Sequence, residues 1–400
     1  MLGGIMRQSM IESLVISVAR RLMPKAFKGK LDLTLPSGTV LTLGGTEPGE
    51  QADLTLRNFK VLWAGIRRAQ LGFFERYMAG DVESKNPTAF FRFYLQNRKG
   101  LDDASGMFTS SVFDKIWHRL RDNTHQGARE NISAHYDLGN EFYKQWLDDT
   151  MTYSSAVFDG KANSLDAAQK LKYQKVLEAA EVKPGSKVLE IGCGWGGFAE
   201  AAAKAGAILR GISLSKEQLA FANERMKREN VADKTELVFE DYRDTTGVFD
   251  AIASIEMIEA VGEPHWPAYF ATLFNRLKPG GAAAIQGITI LEENYPAYRT
   301  SVDFIQRYVF PGGMLLTKEL MREQARKAGL LLEKIDCFGL SYAETLRQWR
   351  LRFEAAWPRI APLGFDERFK KLWTLYLCYC EAGFAEGVID VGIYKIRKPV

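Results

Sequence analysis

From Lys187 onward the chain alternates short apolar runs with stretches at helical spacing. Lys187–Ile191, Ala207–Ser213, Glu236–Glu240, Phe249–Ser254 and Gly281–Thr289 are short, mostly aliphatic runs of the kind buried in a parallel sheet. Phe198–Lys204, Lys216–Glu229 and Pro267–Leu277 read as the helices between them. This order predicts a parallel sheet with right-handed crossovers, and it places any ligand at the carboxyl ends of the strands. Further on, the pattern predicts a helix over Thr317–Ala328, a strand over Leu330–Phe338, an aromatic-rich helical insertion over 342–384, and a last strand over Val388–Lys395.

The first hundred residues follow another rhythm. Met10–Met23 is amphipathic at helical spacing and is followed by Lys25, Lys28 and Lys30, which suits either a first helix packed on its own domain or one resting on anionic lipid. Leu31–Leu43 alternates as a hairpin about Pro36-Ser37-Gly38. A strand and helix over Ala52–Ile66 and short helices over Phe73–Asp81 and Pro87–Gln96 complete a small α+β unit. The expected organisation is an N-terminal domain over 1–110, a polar linker over 111–129 and a second domain over 130–400.

Size and composition narrow this picture only modestly. Four hundred residues suggest two domains, and 46% hydrophobic with 26% charged residues describes an ordinary globular protein. A net charge of +4 is too mild to argue for nucleic acid. The four cysteines and four histidines show no metal-ligand spacing, so no metal is expected. No apolar run approaches the roughly 20 residues needed to span a bilayer, and the N-terminus lacks the form of a signal peptide. The expectation is a cytoplasmic protein, peripherally associated with the inner membrane surface.

The chemistry concentrates in KVLEIGCGWGGF, residues 187–198. Glycines at a strand-to-helix turn let the backbone and helix amides approach a ligand. The Gly-x-Gly-x-Gly-Gly spacing is not that of a phosphate cradle, and Glu190 at the strand end offers a carboxylate to an ammonium group. Together these fit the amino-acid half of S-adenosylmethionine (SAM). The second strand ends in Ser213-Leu214-Ser215, with Gln218 placed to reach ribose hydroxyls through its amide. Asp241 and Tyr242 follow the third strand, where adenine would lie between an acceptor and an aromatic face.

With these motifs the sequence resembles the cyclopropane-fatty-acyl-phospholipid synthase family, relatives of the mycolic acid cyclopropane synthases. HYDLGNEFYKQWLDDTMTYSSAVF, VLEIGCGWGGFAE, GISLSKEQLAFA, EDYRD, EMIEAVG, SVDFIQRYVFPGG and CFGLSYAETLRQWRLRF carry the likeness over nearly the whole chain. It implies a class I SAM-dependent methyltransferase (Rossmann-like) α/β domain with a small N-terminal α+β lipid-interaction domain. Tyr153, Ser154, Gly192, Gly194, Leu214, Gln218, Asp241 and Tyr242 would line the SAM site. The implied partner is a phospholipid bilayer with unsaturated acyl chains, and the implied assembly is a homodimer.

In that family a cis alkene attacks the sulfonium methyl, and a bound bicarbonate removes a proton to close a cyclopropane ring. Glu259, Tyr342 and the backbone of Ile288 match the bicarbonate cradle, but Ser155 stands at its cysteine position, Gln286 at its histidine position, and Ala260 follows Glu259. The fold and most motifs of the resemblance imply cyclopropane formation, and the Ser155 and Gln286 replacements imply the alternative, C-methylation to a methyl- or methylene-branched chain. Phe304, Tyr308, Phe310, Phe338, Trp349 and Phe353 are candidate walls of an acyl tunnel, and Arg299, Arg307, Arg347, Arg350 and Arg352 candidate phosphate contacts. A small-molecule N-methyltransferase and a lipid-binding protein without catalysis share parts of the pattern.

Overall fold

The computed structural model describes residues 11–17, 28–105, 138–162 and 164–400. The expected linker over 111–129, the lead residues 130–137 and most of the Met10–Met23 helix lie outside these; residues 11–17 are helical.

Seven strands form the main sheet, in the order β10-β11-β9-β8-β5-β6-β7. They are β5 (Lys187–Ile191), β6 (Ile208–Ser213), β7 (Thr235–Phe239), β8 (Phe249–Ile255), β9 (Leu277–Ile290), β10 (Leu331–Cys337) and β11 (Ile389–Arg397). β5 to β9 pair in parallel, as their unbroken apolar runs predict. β11, for which the sequence pattern gives no direction, runs antiparallel to both β9 and β10. The cause is the insertion, which is two long helices, Gly339–Ile360 and Glu367–Ala385. A helical hairpin returns the chain to the end of the sheet it left, so the next strand must run back.

The N-terminal region is a four-stranded sheet, order β2-β1-β3-β4, with β1 (Lys28–Thr34), β2 (Val40–Gly44), β3 (Glu47–Leu56) and β4 (Val82–Glu83). The hairpin pairs Leu31 with Leu43. Its helices are longer than the sequence pattern suggests: α1 spans Lys60–Met78 and α2 spans Pro87–Ser105. Both lean on the insertion. Phe74 meets Tyr379 edge-on with ring centroids 5.5 Å apart, Thr88 donates to Glu381 at 3.1 Å and Arg92 pairs with Glu386 at 2.7 Å. One apolar core thus runs from Leu31 and Phe91 through Trp146 and Trp349 to Trp373. Burying that aromatic surface is what fixes the N-terminal helices over the end of the main sheet.

Candidate active site

The glycine turn follows β5. Gly192 and Gly194 have φ of 86° and 50°, and Gly197 opens a helix, α5 (Gly197–Lys204), so close to Tyr173 that a Cβ there would lie 2.2 Å from the phenol oxygen. Only glycine fits that crossing. Glu190, the last residue but one of β5, lies beneath the turn, 3% exposed, with Oε2 buried and lacking a hydrogen-bond partner. Burial pushes this carboxyl up to about 8, against the pull of Lys172 and Arg225. An ammonium group at this turn would supply the missing partner, so the residues fit the amino-acid end of SAM. Ser215, past the end of β6, caps helix α6 (Lys216–Arg228) by accepting from the Gln218 amide at 3.2 Å. The Gln218 side chain accepts from Ser213 Oγ at 3.3 Å, beside Leu214, and keeps its NH2 donors for a ligand. Beyond β7, Asp241 is clamped by Arg243 at 2.7 and 2.8 Å, and the Tyr242 ring packs edge-on against Tyr269.

The segment 150–156 crosses in front of these strand ends, held by helix α4 (Leu165–Ala179). Tyr173 bonds Thr152 at 2.6 Å, Gln169 donates to the Ser154 carbonyl at 2.9 Å, and Lys172 donates to Ser154 Oγ at 2.7 Å. Tyr153 reaches across to Tyr376, hydroxyl to hydroxyl, at 2.9 Å.

Of the five residues expected at an anion cradle, Ser155, Gln286 and Tyr342 converge on a side chain the sequence reading passed over, and Glu259 and Ile288 bond each other beside it. Glu256 follows β8 and projects its carboxylate among them. Its Oε1 accepts from the Ser155 backbone N–H at 2.7 Å and from Gln286 Nε2 at 2.8 Å; its Oε2 accepts from the Tyr342 hydroxyl at 2.6 Å. Ser155 contributes its backbone, for its hydroxyl turns to the Ala156 carbonyl. Glu259 sits beside this group and accepts from the Ile288 N–H at 2.5 Å, with Oε2 buried and without a partner. The donors expected to hold bicarbonate thus already hold a carboxylate of the chain, and a bicarbonate does not fit among them. Glu256 pays for its place: its φ of 49° is in the left-handed region, rare for a residue with a Cβ. Strain of this kind persists where the surroundings impose it, typically at functional sites.

The two carboxyls differ electrostatically. Burial raises both, but Tyr342, Ser155, Lys172 and Gln286 favour the ionised form of Glu256. Glu259, with one donor and the Glu256 charge beside it, is pushed up to about 8. The three donors thus favour the ionised form of Glu256 against the upward push of burial, while Glu259, which has one donor, is held toward its neutral acid.

The sequence profile of the family described as mycolic acid cyclopropane synthetase matches residues 123–394. The chain belongs to this family. It is 40% identical over 333 residues to a tuberculostearic acid methyltransferase of Mycobacterium tuberculosis, covering 81% of this chain and 78% of the relative. It is 33% identical over 348 residues to the cyclopropane-fatty-acyl-phospholipid synthase of Escherichia coli K12, covering 86% of each. Among solved structures it matches the mycolic acid cyclopropane synthase CmaA1 complexed with SAH and CTAB, with a TM-score of 0.64 and 27% identity over 68% of this chain and 98% of that one. This family member is a SAM-dependent methyltransferase acting on lipids.

A cavity of about 740 Å³ opens onto Glu256 and Glu259. Its walls come from both ends of the chain: Phe73, Phe74, Phe90, Phe91 and Tyr94 on α1 and α2, then Phe310, Leu346, Tyr376 and Phe384. Of the tunnel residues expected from sequence, Phe310 lines it; Phe304, Trp349 and Phe353 are instead fully buried core. Four of the five arginines expected at phosphate bond within the protein, Arg299 with Glu263, Arg347 with Glu344, Arg350 with Glu381 and Arg352 with the Leu147 carbonyl, and Arg307 lies over the Tyr308 ring. Arg98, on α2, does line the cavity, bonded to Asn294. Among the described residues no cluster is placed to bind a metal, and no helix is long and apolar enough to cross a membrane.

Proposed function

We propose that this enzyme C-methylates the cis double bond of an unsaturated phospholipid acyl chain and releases a methyl- or methylene-branched chain, with Glu256 as the base. The alkene attacks the sulfonium methyl, the S–C bond breaks to give S-adenosylhomocysteine, and a cation is left on the neighbouring carbon. Glu256 accepts one proton from a carbon beside that cation, or from the new methyl after a hydride shift, and a branched alkene leaves. Glu259, neutral at pH 7, adds no second negative charge, and the faces of Tyr153 and Tyr376 screen the cation from water.

The observation that carries this reading is the Glu256 carboxylate seated among the Ser155, Gln286 and Tyr342 donors. A base built into the chain makes a soluble bicarbonate unnecessary, and its tether restricts which proton it reaches. The 40% identical relative bears a methyltransferase name, which supports branching over ring closure. The N-terminal helices, which wall the cavity, would form the entrance for an acyl chain leaving the bilayer, a reading that favours lipid over a small amine. The test is turnover on dioleoyl phospholipid vesicles in bicarbonate-depleted buffer, with the acyl product identified by NMR. A branched product formed at the full rate supports the proposal; a cyclopropane, or methyl transfer only to soluble amines, overturns it.

A further inference from the structure

Lys172 has so far entered only through its pull on Glu190 and Glu256, yet it is a lysine with no exposed surface at the heart of the enzyme. Its Nζ donates to the neutral Ser154 hydroxyl at 2.7 Å and lies 4.3 Å from the centre of the Tyr173 ring. A buried ammonium is costly unless nearby charges compensate. The acidic groups around it come from three directions: Glu256 beyond β8, Asp148 ahead of the crossing segment and Glu190 near the end of β5, the last two pushed up by burial to about 6 and about 8, which leaves Glu256 as the first partner of the ammonium. Arg225 on α6 also acts on Glu190, Tyr342 acts on Glu256, and Glu256 in turn acts on Glu259.

The connectivity is direct. Lys172 and Gln169, one helical turn apart, hold the side chain and carbonyl of Ser154. The next residue, Ser155, gives its N–H to Glu256 Oε1. One face of α4 therefore fixes the dipeptide that orients Glu256 and brings a positive charge behind it.

We propose that Lys172 is a positioning residue for the base, its ammonium keeping Glu256 ionised inside the apolar cavity and its hydrogen bond fixing the Ser154–Ser155 backbone that aims it. The proposal rests on the reading of Glu256 as the base. Burial lowers the lysine to about 8, so it carries its charge through the acid and neutral range in which Glu256 needs it.

The test compares full-length Lys172→Gln and Lys172→Arg with the parent enzyme. Turnover of radiolabelled SAM on dioleoyl phospholipid vesicles is followed across the acid and neutral range, with SAM affinity measured by calorimetry in the same buffers. Lys172→Gln keeps a donor but loses the charge, so the acid limb moves up by about one pH unit, roughly tenfold less turnover at a fixed acid pH. Turnover, read at SAM concentrations that the calorimetry shows to be saturating for each variant, then recovers as the pH rises, so that any change in SAM binding through Ser154 or Glu190 drops out of the comparison. Lys172→Arg keeps the charge and leaves the limb in place. A Gln variant with an unshifted limb, or with the same loss at every pH, overturns the proposal. Should the Gln variant not fold, Lys172→Met removes the charge on a side chain of similar length and is read in the same way. Glu256→Gln separates the two claims. If it stays active, the base reading fails; if it is inactive while the Lys172→Gln limb is unshifted, only the role of Lys172 fails.

Discussion

Replacing Glu256 by glycine should convert the enzyme into one that depends on an added anion. The substitution removes a Cβ from a residue at φ 49°, recovering about 1 kcal/mol of backbone strain. It also strips an acceptor from the Ser155 N–H, the Gln286 amide and the Tyr342 hydroxyl, all buried. Each donor left unmet costs about 1–3 kcal/mol, less whatever entering water returns. The balance is a net loss of roughly 2 kcal/mol, visible as a lower melting temperature. Turnover should fall by about 10²–10⁴, the usual contribution of a positioned base. Formate, acetate or bicarbonate can then occupy the vacated space and meet the same three donors. Each should raise the melting temperature and restore at least tenfold of the lost turnover, saturably. Glu256→Gln is the control: it fills the space without a basic oxygen, so it stays inactive and anions do not rescue it. Melting curves and methyl transfer to dioleoyl phospholipid, with and without anion, read both effects. An active glycine variant without added anion, or equal rescue of both variants, would refute the reasoning.

Three further outcomes follow from the same geometry. The folded-state value of Glu259, about 8, lies above the ordinary 4.5, so its contribution to stability is full below about pH 4.5 and is lost as pH rises through 8. Glu259→Gln should flatten that decline, gaining on the order of 2 kcal/mol at the alkaline end, as denaturant melts across pH would show. Gly197→Ala drives a Cβ to 2.2 Å from the Tyr173 oxygen; calorimetry should find SAM affinity reduced at least tenfold, about 1.4 kcal/mol. Gly65 lies on the cavity wall with open space where a Cβ would stand. Gly65→Trp should therefore shift substrate preference to shorter acyl chains in a mixed-vesicle competition, with SAM affinity unchanged.

Much of this was legible in the chain. The aliphatic runs located the main strands, and the glycine turn with Glu190 located the cofactor end of the sheet, because both signals are local. The reversed β11 was not, since its direction is set by how the two insertion helices pack and not by its own residues. The cavity walls were misjudged for a similar reason. An aromatic at helical spacing gives no sign of whether it faces core or cavity, and Phe74 and Phe91 reach the cavity only because α1 and α2 fold over the distant insertion. Glu256 was the main omission. Its role depends on a left-handed backbone and on donors 30, 86 and 101 residues away, none of which EMIEAVG alone reveals. The available signal was an ionisable residue directly after a strand at the catalytic edge, three positions before Glu259.

The most direct test of the central claim, that the chain supplies its own base and makes a branched product, is one labelling experiment. The enzyme is given SAM with a fully deuterated methyl group and dioleoyl phospholipid vesicles, with bicarbonate removed and then restored, and the acyl chains are examined by mass spectrometry and NMR. The account predicts the same rate in both buffers. It also predicts branched alkenes, retaining three deuteriums where a chain carbon lost the proton and two where the new methyl did. A cyclopropane whose formation stops when bicarbonate is removed would contradict it.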